Sequence, residues 1–319
     1  MGKAVEHRLP MMRRLENEIV GEAMRQNGGR ATSQQVFDTL TAMAREAIAK
    51  GQVTRRLAAS IRLAITLNPY VPQTPALIDL HHQILKAIYE QKMPELAHIA
   101  RQCTERKMPM PIIVSCEKYL DKARNLQASL RDDFFGVTPV IVRGDPALDE
   151  ERYEEPVLTL PVADTYETLP AKIAELCLLL RVLSPGCGFL KIDDDLLSVP
   201  GRVRDTGQAA GIFATADYIG VPIHNIFHDR VWHFGKCAAP VPAVYGKPIK
   251  SVWARGALYF LSARALDKLT GHYLRFPGCL EGELYEDKAI GDILHECGIV
   301  LMQYPLEKLV GLNSRLAGI

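Results

Sequence analysis

Apolar residues recur at helical spacing through the first third of the chain. Leu15, Ile19 and Ala23 mark one stripe, which Gly28 and Gly29 end. Thr32 or Ser33 then offers an N-cap ahead of Val36, Phe37, Leu40, Met43, Ala44 and Ile48, and Gly51 stops that pattern. Leu57, Ile61, Ala64, Ile65 and Leu67 predict a third helix, closed by Asn68 and Pro69. Beyond the prolines at 72 and 75, Leu77, Leu80, Ile84, Leu85 and Ile88 predict a fourth helix, and Leu96 to Cys103 a fifth. The helices follow no fixed-period repeat. Residues 1–108 are therefore expected to form an all-α domain.

At Met108-Pro109-Met110-Pro111 the pattern changes, and short β-branched runs begin to alternate with helical stripes. Strands are predicted at Ile112–Ser115, Pro139–Val142, Val157–Leu160, Gly188–Ile192, Ala216–Val221, Ala257–Leu261 and Ile299–Met302. Helices are predicted from Tyr119 to Leu130, from Leu169 to about Leu183, from Ser262 to Leu269, and from Glu286 to near Gly298. A polar, aromatic segment from His224 through Trp232-His233-Phe234 to Tyr245 is broken by Pro240 and Pro242. This order predicts a Rossmann-like α/β domain over 109–319, with flanking helices on a mainly parallel sheet. Ligands of such sheets bind beyond the carboxyl ends of the strands.

Composition narrows the partners. Lys and Arg number 38 against 37 Asp and Glu, so no field is built for nucleic acid. Seven scattered Cys with no CxxC pair predict neither zinc nor a disulfide framework and favour a reducing compartment. No secretory leader is visible, and no run approaches the 18 or so apolar residues of a membrane span. A cytoplasmic protein is expected, with a peripheral position at the inner membrane compatible. His81, His82 and His98 lie on helical stripes, where core or surface is the ordinary role. Arg13-Arg14 and Arg55-Arg56 are expected on solvated helix faces.

Candidate chemistry concentrates at Asp193-Asp194-Asp195, three carboxylates delivered by a buried strand and followed at once by apolar Leu196 and Leu197. Like charges held together raise one another's pKa unless a cation neutralises them. Hard oxygen donors of this kind suit Mg²⁺ or Mn²⁺ bridging to substrate phosphates. An Asp-rich turn capping the strand is the competing reading.

Several ordered pieces resemble the β-1,3-galactosyltransferase and fringe-like family of GT-A glycosyltransferases. Asp164-Thr165-Tyr166-Glu167-Thr168-Leu169-Pro170-Ala171-Lys172 resembles D-x-Y-x-N-L-x-x-K, with Thr168 in place of Asn. Phe189 to Asp195 resembles F-x-x-K-x-D-D-D, the metal-binding DxD strand, with one residue fewer between Phe189 and Lys191, and Asp217-Tyr218-Ile219-Gly220 resembles the strand after it. Tyr245 to Ser262 resembles Y-P-x-Y-x-x-G-x-G-Y-x-L-S, and Glu286-Asp287-Lys288-Ala289-Ile290-Gly291 resembles E-D-V-x-x-G. Trp253, Ala257 and Lys288 depart from the family's Tyr, Gly and Val. Family members also often supply a metal-ligating His near the C-terminus; here only His295 follows Asp287, with His224, His228 and His233 as substitutes to be weighed. The family's eukaryotic members carry a membrane anchor and disulfides, and this chain looks like a bacterial relative without them.

The resemblance implies an inverting, metal-dependent hexosyltransferase of carbohydrate biosynthesis, moving a sugar from a UDP-sugar to a glycan hydroxyl. Asp193 and Asp195 would hold Mn²⁺ or Mg²⁺, with Asp194 behind them. Ser115, Arg124, Lys172 and Lys191 would meet the donor. Asp287 would be the base, with Glu286 as its neighbouring alternative. Trp253 and Gly256 would border the acceptor, and Trp232 and Tyr245 are further stacking candidates. Two rivals remain: a degenerate protein that binds sugar nucleotides or glycans without transfer, and a metal-dependent nucleotidyl or phosphoryl transferase. The helical domain is a candidate surface for a protein partner.

Overall fold

The computed structural model describes residues 19–130, 134–184, 186, 188–199, 204–223 and 230–314. The chain divides into two compact units, Met1–Lys92 with Gly271–Pro277, and Met93–Thr270 with Gly278–Ile319.

In the first unit, helices form where stripe and cap coincide. Thr32 accepts from the Gln35 amide at 3.3 Å and donates its own amide to the Gln35 side chain at 2.8 Å. This reciprocal box opens α1 (Ser33–Ala49). Thr54 caps α2 (Arg55–Leu67), and α3 (Thr74–Lys92) follows. Phe37, Leu40, Ile61, Ile65, Leu77 and Ile84 are buried between these helices. His81 and His82 are buried on α3, as expected of core histidines, and burial pulls the His81 pKa well down. Arg55 departs from expectation: its guanidinium stacks 4.9 Å from the Tyr89 ring centroid instead of standing in solvent. Arg13 and Arg14 lie outside the described residues.

The second unit begins with α4 (Pro94–Glu105), which the stripe alone groups with the helices before it. It packs on β1 (Met110–Val114) and on α6 (Leu169–Leu183). The remaining strands are β2 (Val140–Gly144), β3 (Arg152–Glu154), β4 (Val157–Leu160), β5 (Phe189–Asp193), β6 (Leu196–Ser198), β7 (Tyr218–Ile223), β8 (Trp253–Leu261), β9 (Met302–Gln303) and β10 (Leu312–Ser314). One eight-stranded sheet runs β3-β4-β2-β1-β5-β8-β7-β9, and β6 pairs with β10 apart from it. The run β4-β2-β1-β5 is parallel, while β8 lies antiparallel between β5 and β7. The unit is mixed α/β with a largely parallel sheet, compatible with a Rossmann-like fold.

Helices cover both faces of the sheet. Residues of α5 (Leu120–Leu130), α7 (Thr206–Phe213) and α10 (Leu306–Val310) share a core with Ile113, Ile141, Leu190, Ile192 and Phe260. Alternation along β5 turns Phe189, Lys191 and Asp193 to the other face, where α9 (Glu286–Glu296) packs on β8 and α6. A Cβ at Gly188 would collide with the backbone carbonyl of Leu261, so glycine lets β5 start alongside β8. The helix predicted to end at Leu269 runs on as α8 (Ala263–Arg275). The described cysteines are free thiols, and no helix among the described residues is long and apolar enough to cross a membrane.

Candidate active site

The cluster grows from the end of β5. Register sets Lys191 beside Tyr259 of β8, and Asp193 beside Val114 at the end of β1. Asp194 and Asp195 then form the turn into β6. α9 presents Glu286 and Asp287 in its first turn, where the helix dipole favours carboxylates. These groups line one cavity of about 630 Å³, which Ser115, Lys172, Trp253 and Gly256 also border. Of the residues expected to meet metal, donor or acceptor, Tyr245 is not on the wall of this cavity, and neither is Arg124. It is exposed on α5 and lies 3.6 Å from Asp121.

Lys191 is the hub, with about 1% of its side chain exposed. Its ammonium donates to Asp193 Oδ1 at 2.5 Å and to the Gly256 carbonyl, and lies 3.0 Å from Glu286 Oε1. Burial alone would lower its pKa, but the Asp193 and Glu286 carboxylates outweigh burial and raise it. Glu286 is enclosed as well, because its other oxygen accepts from the Tyr259 hydroxyl at 3.2 Å. Burial pushes its pKa up to about 7 against the pull of Lys191.

Asp287 is the more open member of the pair. The Gly256 N–H donates to its Oδ2 at 3.0 Å, and the Lys288 N–H donates to its Oδ1 at 2.8 Å. Burial raises its pKa to about 6, opposed by those two amides and by Lys191. Glycine at 256 matters here, since a Cβ would stand 3.2 Å from oxygens of both Asp287 and Glu286.

On the other side, Lys172 is buried and donates to the Ser115 carbonyl at 2.7 Å and to Asp164 Oδ1 at 2.6 Å. Asp164 in turn accepts the Glu117 N–H at 3.0 Å. Lys172 thus fastens the end of β1, and Lys191 the end of β5, each committed to protein carboxylates. Ser115 Oγ donates to Asp194 Oδ2 at 2.6 Å, which turns Asp194 toward β1. Burial raises the pKa of Asp193 and of Asp194, opposed by Lys191 and by the Ser115 hydroxyl respectively. Asp195 is exposed at the cavity edge.

Among the described residues, no three His, Cys, Asp or Glu side chains are grouped as a ready metal cage. His233 is fully buried with both ring nitrogens engaged, one by the Tyr285 hydroxyl at 2.7 Å and one by the Pro242 carbonyl at 2.6 Å, so it is no spare ligand. His295 is exposed in the last turn of α9, and His224 and His228 lie outside the described residues. Two of the aromatic candidates are core: Trp253 is 2% exposed, and buried Tyr245 donates its hydroxyl to Glu283. Trp232 is open at 55%. Tyr166 and Lys236 also line the cavity, outside the set that the sequence points to. Tyr166 sits inside the segment quoted for the resemblance, whereas nothing local marks Lys236.

No protein-family model matches the chain, and no curated protein sequence matches it.

Proposed function

We propose that the chain is an inverting GT-A-type glycosyltransferase, moving a sugar from a nucleotide sugar, with UDP-sugar the expected donor, to a hydroxyl of a glycan. One observation carries this: the Asp193–Asp195 turn at a strand end and the Asp287 carboxylate at a helix start open on the same cavity. Mg²⁺ and Mn²⁺ commonly take one or two carboxylates and complete their shell with phosphate oxygens and water, so a full protein cage is not required. Asp193 and Asp195 are the residues that would hold the ion, and burial of Asp193 makes a nearby cation favourable. Such an ion supplies Lewis-acid neutralisation of a departing diphosphate.

The protein's own residues do the rest. Asp287 accepts the proton of the acceptor hydroxyl as that oxygen bonds to the anomeric carbon. The bond to the diphosphate breaks on the opposite face, and its electron pair leaves with the phosphate. The Gly256 and Lys288 amides fix the plane of the Asp287 carboxylate while leaving lone pairs for the incoming proton. A base with a pKa near the working pH combines availability with driving force. Glu286, with both oxygens engaged, holds Lys191 in place rather than acting on substrate.

The Lys191–Asp193 contact favours a second reading, a protein that binds sugar nucleotides without transferring the sugar, because the ammonium already supplies positive charge to Asp193. Thermal shift with UDP-, GDP- and CMP-sugars, with and without Mn²⁺, separates the two. A melting-temperature rise that needs Mn²⁺, disappears in Asp195→Ala and is accompanied by transfer supports the enzyme. A rise without transfer to any acceptor supports the binding protein, and no rise with any nucleotide sugar refutes both.

A further inference from the structure

The turn 231–236 is held from within and presents its aromatic side chains outward. His233 is its buried anchor, bonded to Tyr285 and to the Pro242 carbonyl. The Phe234 and Lys236 amides close the turn onto the carbonyls of Val231 and His233, each at 3.0 Å. Just beyond, the Ala238 and Ala239 amides donate to the Glu167 carboxylate at 3.1 and 2.9 Å. Between these anchors Trp232 stands 55% exposed at the cavity mouth. The Lys236 ammonium lies 3.6 Å from the Trp232 ring centroid and 5.5 Å from that of Tyr166. No carboxylate among the described residues acts on it; partial desolvation alone moves its pKa, downward. Tyr166 joins this cluster to the base, since it and Asp287 line the same cavity.

An indole has two faces: Lys236 covers one, the other suits a pyranose ring, and an ammonium with no carboxylate partner among the described residues offers a counter-charge to an anion. We infer that Trp232, Lys236 and Tyr166 form an acceptor subsite selective for saccharides bearing an anionic group, a carboxylate or a phosphate. The inference rests on the transferase reading only in assigning the subsite to the acceptor; the binding chemistry stands apart from it.

The test titrates the whole protein, without donor, with methyl β-D-glucuronide, methyl β-D-glucoside and methyl β-D-glucoside 6-phosphate, following tryptophan fluorescence. Trp253 is buried but borders the same cavity, so the quenching is assigned to Trp232 by its loss in Trp232→Ala. At low salt at least one acidic saccharide binds about threefold to fivefold more tightly than the neutral one, as suits an exposed ion pair. Which of the two acids binds better identifies the source of the charge. The preference vanishes in Lys236→Gln and in 1 M salt, where the Debye length is about 3 Å. Equal binding of all three, a preference that survives Lys236→Gln, or no quenching by any of them overturns the inference. Because Lys236 is exposed, folding of the variant is not at stake, and calorimetry on Trp232→Ala gives a second readout, with loss of binding expected. Acidic preference without any nucleotide-sugar thermal shift would keep the subsite and remove the transferase; the converse result would remove the subsite alone.

Discussion

Replacing Lys191 with Met removes the one cation that two carboxylates share. Met approximates the volume of the lysine stem, so the change is chiefly the loss of the ammonium. Glu286 is then left about 5% exposed with a Tyr259 hydroxyl as its remaining side-chain partner, and Asp193 loses its 2.5 Å contact. Removing one member of a buried pair costs about 3–5 kcal/mol, a large share of the roughly 5–15 kcal/mol that typically stabilises a domain. The loss depends on pH with a definite sign. Glu286 has its folded pKa raised above its unfolded value even with Lys191 present, and without the ammonium that pKa rises further. The folded state therefore binds more protons than the unfolded state above pH 4.5, so stability falls as pH climbs from there through 7. Guanidinium unfolding, followed by fluorescence of the buried Trp253, reads the unit that contains the cluster. The expected result is a destabilisation of about 3–5 kcal/mol at pH 8 that shrinks by at least about 1 kcal/mol at pH 5. A variant as stable as the parent, or one destabilised equally at both pH values, would refute the account of Lys191 as the hub.

The geometry sets three further outcomes. Asp287→Asn keeps the shape but not the basicity, so transfer should fall by about 10²–10⁴-fold while Mn²⁺-dependent nucleotide-sugar binding persists. In the parent, kcat/KM should decline as pH drops below about 6, where Asp287 takes up its proton, and a flat profile between pH 5 and 8 would contradict its role as base. Gly188→Ala drives a Cβ into the Leu261 backbone, where no flexible side chain can yield, and should cost more than about 3 kcal/mol or prevent folding, read by melting temperature and soluble yield.

The elements most legible in the sequence are those with a clean local period. The stripes of α1 to α3 and the apolar runs of β1, β2, β4, β5, β7 and β8 lie where the pattern places them. Elements made by distant pairing are not legible. Arg152–Glu154 has no hydrophobic alternation and becomes β3 because it folds back antiparallel on β4. Leu196–Ser198 becomes β6 only by meeting Leu312–Ser314. The pattern puts the last sheet strand at Ile299–Met302, yet Val300 is exposed and pairing with β7 begins at Met302. In the site, the carboxylates at the end of β5 and at the start of α9 are legible as acidic residues at the edges of apolar runs, and the structure lines one cavity with them. That Lys172 and Lys191 are consumed internally is not legible, because a lysine's partner depends on which carboxylates distant loops and helices bring within about 3 Å of it. Arg124 follows Leu120 closely along the chain, but its helix turns it to solvent.

The pairing of β6 with β10 sets an order of events in synthesis. Ser198 leaves the ribosome 114 residues before Leu312, its partner in the ladder. At roughly 5–20 residues per second the gap is on the order of ten seconds. During that interval β1, β2, β4, β5 and finally β8 can assemble, while the loop after Asp195 has no partner strand to close against. The carboxylate turn is thus among the last parts of a nascent chain to acquire its final support. A chain stalled at residue 305 would carry every carboxylate of the cavity and still lack the clasp beside them.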